Sequence, residues 1–186
     1  MKRNDNAQLY TFEGISVAFM MLMVIIFVIK ASPLTPLTSS ASNQRIEAQL
    51  ETQGMDLLII LDYASSGYSP LKNAIIEWNG NEFDGQTTVY PYHVNYTSSI
   101  LYDAFGVEGI AYNLEVSAYD PAGNIVTHKM FWNGLPSDNA VIVSRKIVLH
   151  DDDVSGNVEL REKIKDVDTT TDFYNILDLR LTLWRM

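Results

Sequence analysis

The side chains that could do chemistry in this chain of 186 residues are few and scattered. The densest group is Asp151-Asp152-Asp153. Clustered carboxylates suit a hard cation such as Ca²⁺, which takes oxygen ligands. Adjacent residues cannot all face one ion, and no glycine at EF-hand spacing follows. A solvated turn is therefore the better reading, with Ca²⁺ the one cofactor kept in view and no other implied. His93, His128 and His150 are the only histidines. No two stand at metal-ligand spacing, which points to structural or surface roles. Asn95-Tyr96-Thr97 is an N-glycosylation sequon. There is no cysteine, so disulfides and thiolate metal sites are both excluded. The chain has no nucleophile elbow, no glycine-rich phosphate loop and no His-Glu pair at helical spacing. With no catalytic group to nominate, the chain reads as a non-enzyme.

The remaining chemically notable residue is Glu13, which stands at the mouth of an unbroken apolar run from Ile15 to Ile29. A carboxylate there is costly to bury in lipid, which calls for a partner charge or an interfacial position. Gly14 to Ile29 makes about 16 residues, or roughly 24 Å of helix at 1.5 Å per residue. A hydrocarbon core of roughly 30 Å needs nearer 20 residues. Tyr10, Thr11 and Phe12 at one end, and the snorkelling stem of Lys30 at the other, close that gap. A cleaved secretory signal is the bland alternative, but the apolar run is long for one and Pro33 crowds the candidate cut after Ala31. Residues 1–31 thus read as a retained single-pass transmembrane helix. Lys2 and Arg3 favour a cytoplasmic N-terminus and an extracellular C-terminal part.

The elements beyond this helix must make up the outer part. Residues 32–40, with Pro33, Pro36 and a Ser/Thr cluster, predict a linker. Residues 41–64 predict a helix with Ile46, Leu50, Leu57 and Leu61 on one stripe, and Gly54 on that stripe would admit a close neighbour. Apolar residues at 71, 74, 75 and 78 predict a further two turns of helix. The period then changes to two. Ile110, Tyr112, Leu114, Val116 and Ala118 alternate with polar residues, as do Leu177, Leu179, Leu181 and Leu183. Asp120-Pro121-Ala122-Gly123-Asn124 predicts a hairpin turn, with strands over 125–132 and 140–149 to follow. Residues 151–172 carry eight Asp and Glu and predict a mobile excursion. Residues 41–186 therefore form an extracytoplasmic α+β domain, a helix packed on a mainly antiparallel β-sheet, whose clean alternation follows from burial on one face. Trp78, Trp132 and Trp184, with Tyr90 and Tyr92, could build a binding face but read better as core or rim. A formal net charge of −10 makes the domain a poor nucleic-acid binder.

A basic head, a Glu near the fifth position of a long apolar helix and a β-rich outer domain resemble a type IV pilin. Tyr10-Thr11-Phe12-Glu13 resembles the start of such a subunit, and Ala7-Gln8 resembles the cut site of archaeal prepilin (class III) signal peptides. Further along, Gly109-Ile110-Ala111-Tyr112-Asn113, Pro136-Ser137-Asp138-Asn139-Ala140-Val141 and Leu149-His150-Asp151-Asp152-Asp153 resemble an uncharacterised family of archaeal pilin-like membrane proteins, best represented in haloarchaea. The resemblance implies trimming by a prepilin peptidase, with Ala7, Gln8 and Leu9 flanking the cut. It also implies that Glu13 neutralises the new N-terminal amine of a neighbouring subunit. A cut after Ala7 makes Glu13 sixth; a cut after Gln8 makes it fifth but leaves Gln before the bond. The expected function is a pilin-like or pseudopilin-like structural subunit, whose partners are the membrane and other pilin-like subunits. The alternative is an unprocessed, signal-anchored domain that binds a ligand, an ion or an envelope partner.

Overall fold

A computed structural model describes the backbone of residues 5–31, 34–83 and 91–185, and the side chains of 12–27, 44–83 and 91–185. The chain divides into two units, Met1–Arg45 and Ile46–Met186.

In the first unit, helix α1 runs from Asp5 to Ala31, about 40 Å at 1.5 Å per residue. Its apolar side chains leave no polar face: Phe12, Ile15, Phe19, Leu22, Ile25 and Phe27 all stand exposed. A helix apolar all round needs an apolar surrounding, whether protein or lipid. Among the described residues, no helix is long and apolar enough to cross a membrane. The flanking Lys2 and Arg3 lie outside the described residues, as do the side chains of Ala7, Gln8, Leu9 and Lys30.

Helix α2, Leu34–Asp62, begins where a linker is expected. Pro36 falls in the first turn of α2, where backbone N–H groups have no intrahelical partner and a proline breaks nothing.

The second unit is α+β, with helices packed on a four-stranded antiparallel sheet ordered β2-β1-β4-β3. Its strands are β1 (Ile110–Tyr119), β2 (Ile125–Trp132), β3 (Val141–His150) and β4 (Phe173–Arg185). Leu114 pairs with Leu181, which pairs with Val143, so one row of apolar side chains crosses three strands on the inner face. Leu50, Gly54, Leu58 and Leu61 form the buried stripe of α2. Leu58 takes the central place expected for Leu57, because spacings of four, four and three follow the helical period more closely. A Cβ on Gly54 would lie 2.8 Å from Leu183 Cδ1 and 2.9 Å from Val143 Cγ2, so this glycine sets how closely α2 seats on the sheet. A β-bulge beside Leu114 lets the consecutive Met130 and Phe131 of β2 both reach the interior. The expected one-face alternation holds along edge strand β3. In central β1 the polar Asn113 and Ser117 are buried as well.

Helix α3 (Pro70–Glu77) has Ser69 as N-cap, proline in its first turn, and Leu71, Ala74 and Ile75 inward. Helix α4 (Tyr92–Ala104) packs beside it, burying Val94, Thr97 and Leu101. A 3₁₀ turn, Gly106–Glu108, leads into β1. The acidic stretch 151–172 is not the loose excursion its charge suggests. It holds α5 (Asp151–Val154) and α6 (Val158–Lys163), and Val154, Leu160 and Ile164 are buried in the core. Asn157 caps α6 and donates through Nδ2 to the carbonyls of Ile76 and Trp78, at 2.8 and 2.9 Å. Those are the carbonyls that the end of α3 leaves without helical partners.

Candidate functional site

The three consecutive aspartates part company in the fold. Asp151 and Asp152 are exposed, whereas the side chain of Asp153 is only 2 % exposed. Its carboxylate lies 2.7 Å from Lys72 Nζ and accepts the backbone N–H of His150 at 2.8 Å. The Tyr68 hydroxyl donates to it too. Burial pushes the Asp153 carboxyl up, but the hydrogen bonds from Lys72, Tyr68 and His150 outweigh burial and hold it below the ordinary carboxylate range. The same bond, with the negative charge of Asp153, pushes the Tyr68 phenol up. Lys72 also sits 4.5 Å from the centre of the Tyr68 ring. Asp153 is thus not a solvated turn residue: it ties α5 to α3. No three His, Asp or Glu converge into a metal site among the described residues.

Ser69 precedes Lys72 by three residues, a spacing that serine–lysine nucleophiles use. Here the Ser69 hydroxyl caps α3 by accepting the Lys72 N–H and donates to Asp62, while Lys72 Nζ is committed to Asp153. That arrangement activates no nucleophile.

The histidines serve the fold. His93 meets Glu77 twice, through its backbone N–H at 2.9 Å and its Nδ1 at 2.5 Å, so a carboxylate from α3 caps the start of α4. His128 stands edge-on to Trp78 and is held neutral by burial, which pushes its imidazole down; its Nε2 is buried with no partner among the described residues. His150 is exposed and starts α5. The aromatic residues do not form one face. Trp78 and Trp184 are buried, Trp132 is half-buried under Lys129, Tyr92 is exposed and stacks on Tyr96, and Tyr90 lies outside the described residues.

Asn95 is exposed on α4 rather than in the surface loop a sequon suggests. It borders a groove of about 350 Å³ between α4 and the ends of β1 and β2. Ser99 and Tyr102 line the α4 side, Trp132 and Asn133 the sheet side, and Phe131 and Tyr112 lie in the wall. Burial, with Tyr102 nearby, pushes the Tyr112 phenol up. The sheet side is fixed by paired asparagines. Asn133 donates its N–H to Asn113 Oδ1 at 2.8 Å and its Nδ2 to the Tyr112 carbonyl, while Asn113 Nδ2 reaches the Gly134 carbonyl at 2.9 Å. The third sequon residue, Thr97, is fully buried, and its hydroxyl has no hydrogen-bond partner among the described residues.

Glu13 lies on α1, exposed among exposed apolar side chains, with no ion-pair partner among the described residues. Ala7, Gln8 and Leu9, expected to flank a processing site, fall within the same helix. Nothing in local sequence pairs Lys72 with Asp153, or brings Tyr102 to Trp132; both meetings are made by the tertiary fold.

The chain belongs to DUF7288, a family of unknown function, which matches it over residues 6–183. No curated protein and no solved structure matches it.

Proposed function

We propose that this protein is a pilin-like structural subunit of the archaeal type. In this reading α1 anchors the chain in the cell membrane as a single pass, with its basic head in the cytoplasm and its α+β unit outside. A prepilin peptidase removes the head beside Ala7, Gln8 and Leu9, and the freed helices pack into a surface filament or envelope assembly.

The observation that carries the reading is Glu13, the one charged side chain described on α1 (residues 12–27), without an ion-pair partner among the described residues and set among exposed apolar side chains. An uncompensated charge in apolar surroundings costs several kcal/mol, of order 3–5 when one partner of a buried pair is missing. The amine created on a neighbouring subunit by processing is a cation of the right sign and depth. Helix on both sides of residues 32–33 adds support, since it approaches the long helix of pilins more closely than a linker would. The sheet supports it too. With helices packed on its inner face, it turns Glu115, Arg180 and Lys146 outward beside the exposed Ile142, Val148 and Ile176, a mixed face suited to contacts between subunits.

The test is Glu13→Gln, which keeps the size of the side chain and removes its charge. The variant should remain in the membrane fraction and vanish from the sheared surface fraction, while Glu13→Asp retains partial assembly. A Glu13→Gln protein that assembles as the unchanged chain does would refute the role, and would favour a permanently anchored binding domain.

A further inference from the structure

We propose that Asn95 carries an N-linked glycan whose first sugars lie in the groove between α4 and the ends of β1 and β2. The inference rests on the export of the second unit contained in the proposed function, but not on filament assembly.

Two independent observations meet at this place. The first is the hydroxyl of Thr97, fully buried on α4 and without a partner among the described residues. A buried hydroxyl that makes no hydrogen bond destabilises the folded state, and valine would fill the same space without that loss. Among the described residues nothing uses this oxygen. The sequon does, because an Asn-x-Thr acceptor is read through its hydroxyl as well as its amide. Since the folded helix hides that hydroxyl, the transfer takes place before α4 docks on the sheet.

The second observation is the groove itself. Asn95 stands on its rim, so a sugar attached to Nδ2 is delivered there without a search. Tyr102 is exposed and offers its ring to the C–H face of a pyranose, while Ser99 and Asn133 offer a hydroxyl and an amide for its hydroxyls. The hydrogen bonds of Asn133 to Asn113 and Tyr112 hold the sheet side in place before any sugar arrives, which limits the ordering entropy lost on docking.

The chemistry is a group transfer from a lipid-phosphate-linked oligosaccharide, catalysed by a membrane oligosaccharyltransferase. Asn95 Nδ2 attacks the anomeric carbon and forms the N–C bond. The bond from that carbon to the lipid-phosphate oxygen breaks, its electron pair leaves with the phosphate, and Nδ2 gives up one proton to a base of the transferase. Nothing is oxidised or reduced.

The experiment uses the full chain, expressed in a cell that N-glycosylates its surface proteins and purified from membranes. Mass spectrometry of the peptide containing Asn95 should show a hexose-based addition. Thr97→Ser should keep the addition, and Thr97→Val should lose it while folding at least as well. Seating is read from melting temperature: the glycosylated protein should melt about 2 °C or more above Asn95→Gln, and Tyr102→Ala should erase that difference. Protease digestion of intact cells reports separately whether the second unit is outside. An unmodified Asn95 in a unit that protease reaches overturns this inference and leaves export standing. A unit shielded from protease contradicts the proposed function, and this inference with it. A glycan whose stabilisation survives Tyr102→Ala overturns the seat.

Discussion

Replacing Lys72 by methionine isolates the least exposed ion pair among the described residues. Methionine keeps most of the stem that Lys72 lays beside Tyr68 and removes only the ammonium. Asp153 would then keep the His150 N–H at 2.8 Å and the Tyr68 hydroxyl but lose Nζ at 2.7 Å, with its side chain still 2 % exposed. Removing one partner of a buried pair costs about 3–5 kcal/mol; two surviving hydrogen bonds place this case near the lower end, at about 3 kcal/mol. For a domain of this size about 3 °C of melting temperature goes with each kcal/mol, so the midpoint should fall by roughly 10 °C. A thermal melt of the full chain at pH 7, followed by circular dichroism, measures this. Changing Asp153→Asn in the same chain should restore more than half of the loss, because a neutral amide needs no countercharge.

The pH dependence supplies the sign. In the unchanged protein the Asp153 carboxyl sits below its ordinary value, so its contribution is complete above about pH 4 and is lost as pH falls through the lowered folded value. In Lys72→Met the lowering by the ammonium is gone and burial weighs more, so the same carboxyl takes up its proton at a higher pH than in the unchanged protein and protonation relieves the variant first. The gap between the two melts should therefore narrow as pH falls from 7 towards 4. A shift under 2 °C at pH 7, or a gap that widens in acid, would refute this account of the cluster.

Gly54→Leu should destabilise by about 2–3 kcal/mol, because even a Cβ there would meet Leu183 Cδ1 at 2.8 Å and Val143 Cγ2 at 2.9 Å, and overpacking of a filled core costs this much. A chemical denaturation midpoint that moves down with an unchanged slope is the expected readout. Adding millimolar Ca²⁺ should leave the melting temperature where it is, since Lys72 already occupies the Asp153 carboxylate; a rise of several degrees would show that Asp151 and Asp152 recruit an ion regardless.

The sheet was legible because its signal is local. Ile110 to Ala118 and Leu177 to Leu183 alternate with period two, and the turn at Asp120 to Asn124 is closed by Asp120 accepting from the backbone N–H groups of Ala122 and Asn124. Helix α3 was legible for the same reason, in the spacing of Leu71, Ala74, Ile75 and Trp78. Helix α4 was not. It opens with Tyr92, His93 and Val94, residues of middling helix propensity, after a proline that cannot cap through its side chain, and its cap comes from Glu77 on another helix. The acidic stretch hid α5 and α6 because charge density dominates its composition, while Val154, Leu160 and Ile164 anchor it from three isolated positions. The partner of Asp153 depends on Lys72, far away in the chain, and no pattern near the aspartates announces it. Glu13 was visible because one charge interrupts an apolar setting, and its meaning depends on a second subunit.

The most direct test of the account is the N-terminus of the protein isolated from its native membranes, read by intact mass and terminal peptide sequencing. The account predicts a new terminus at Gln8 or Leu9, with the basic head gone and an amine free to meet Glu13 of a neighbour. An intact Met1, or a chain lacking only that methionine, would contradict it: α1 would then be a permanent anchor, and Glu13 would have no amine to neutralise.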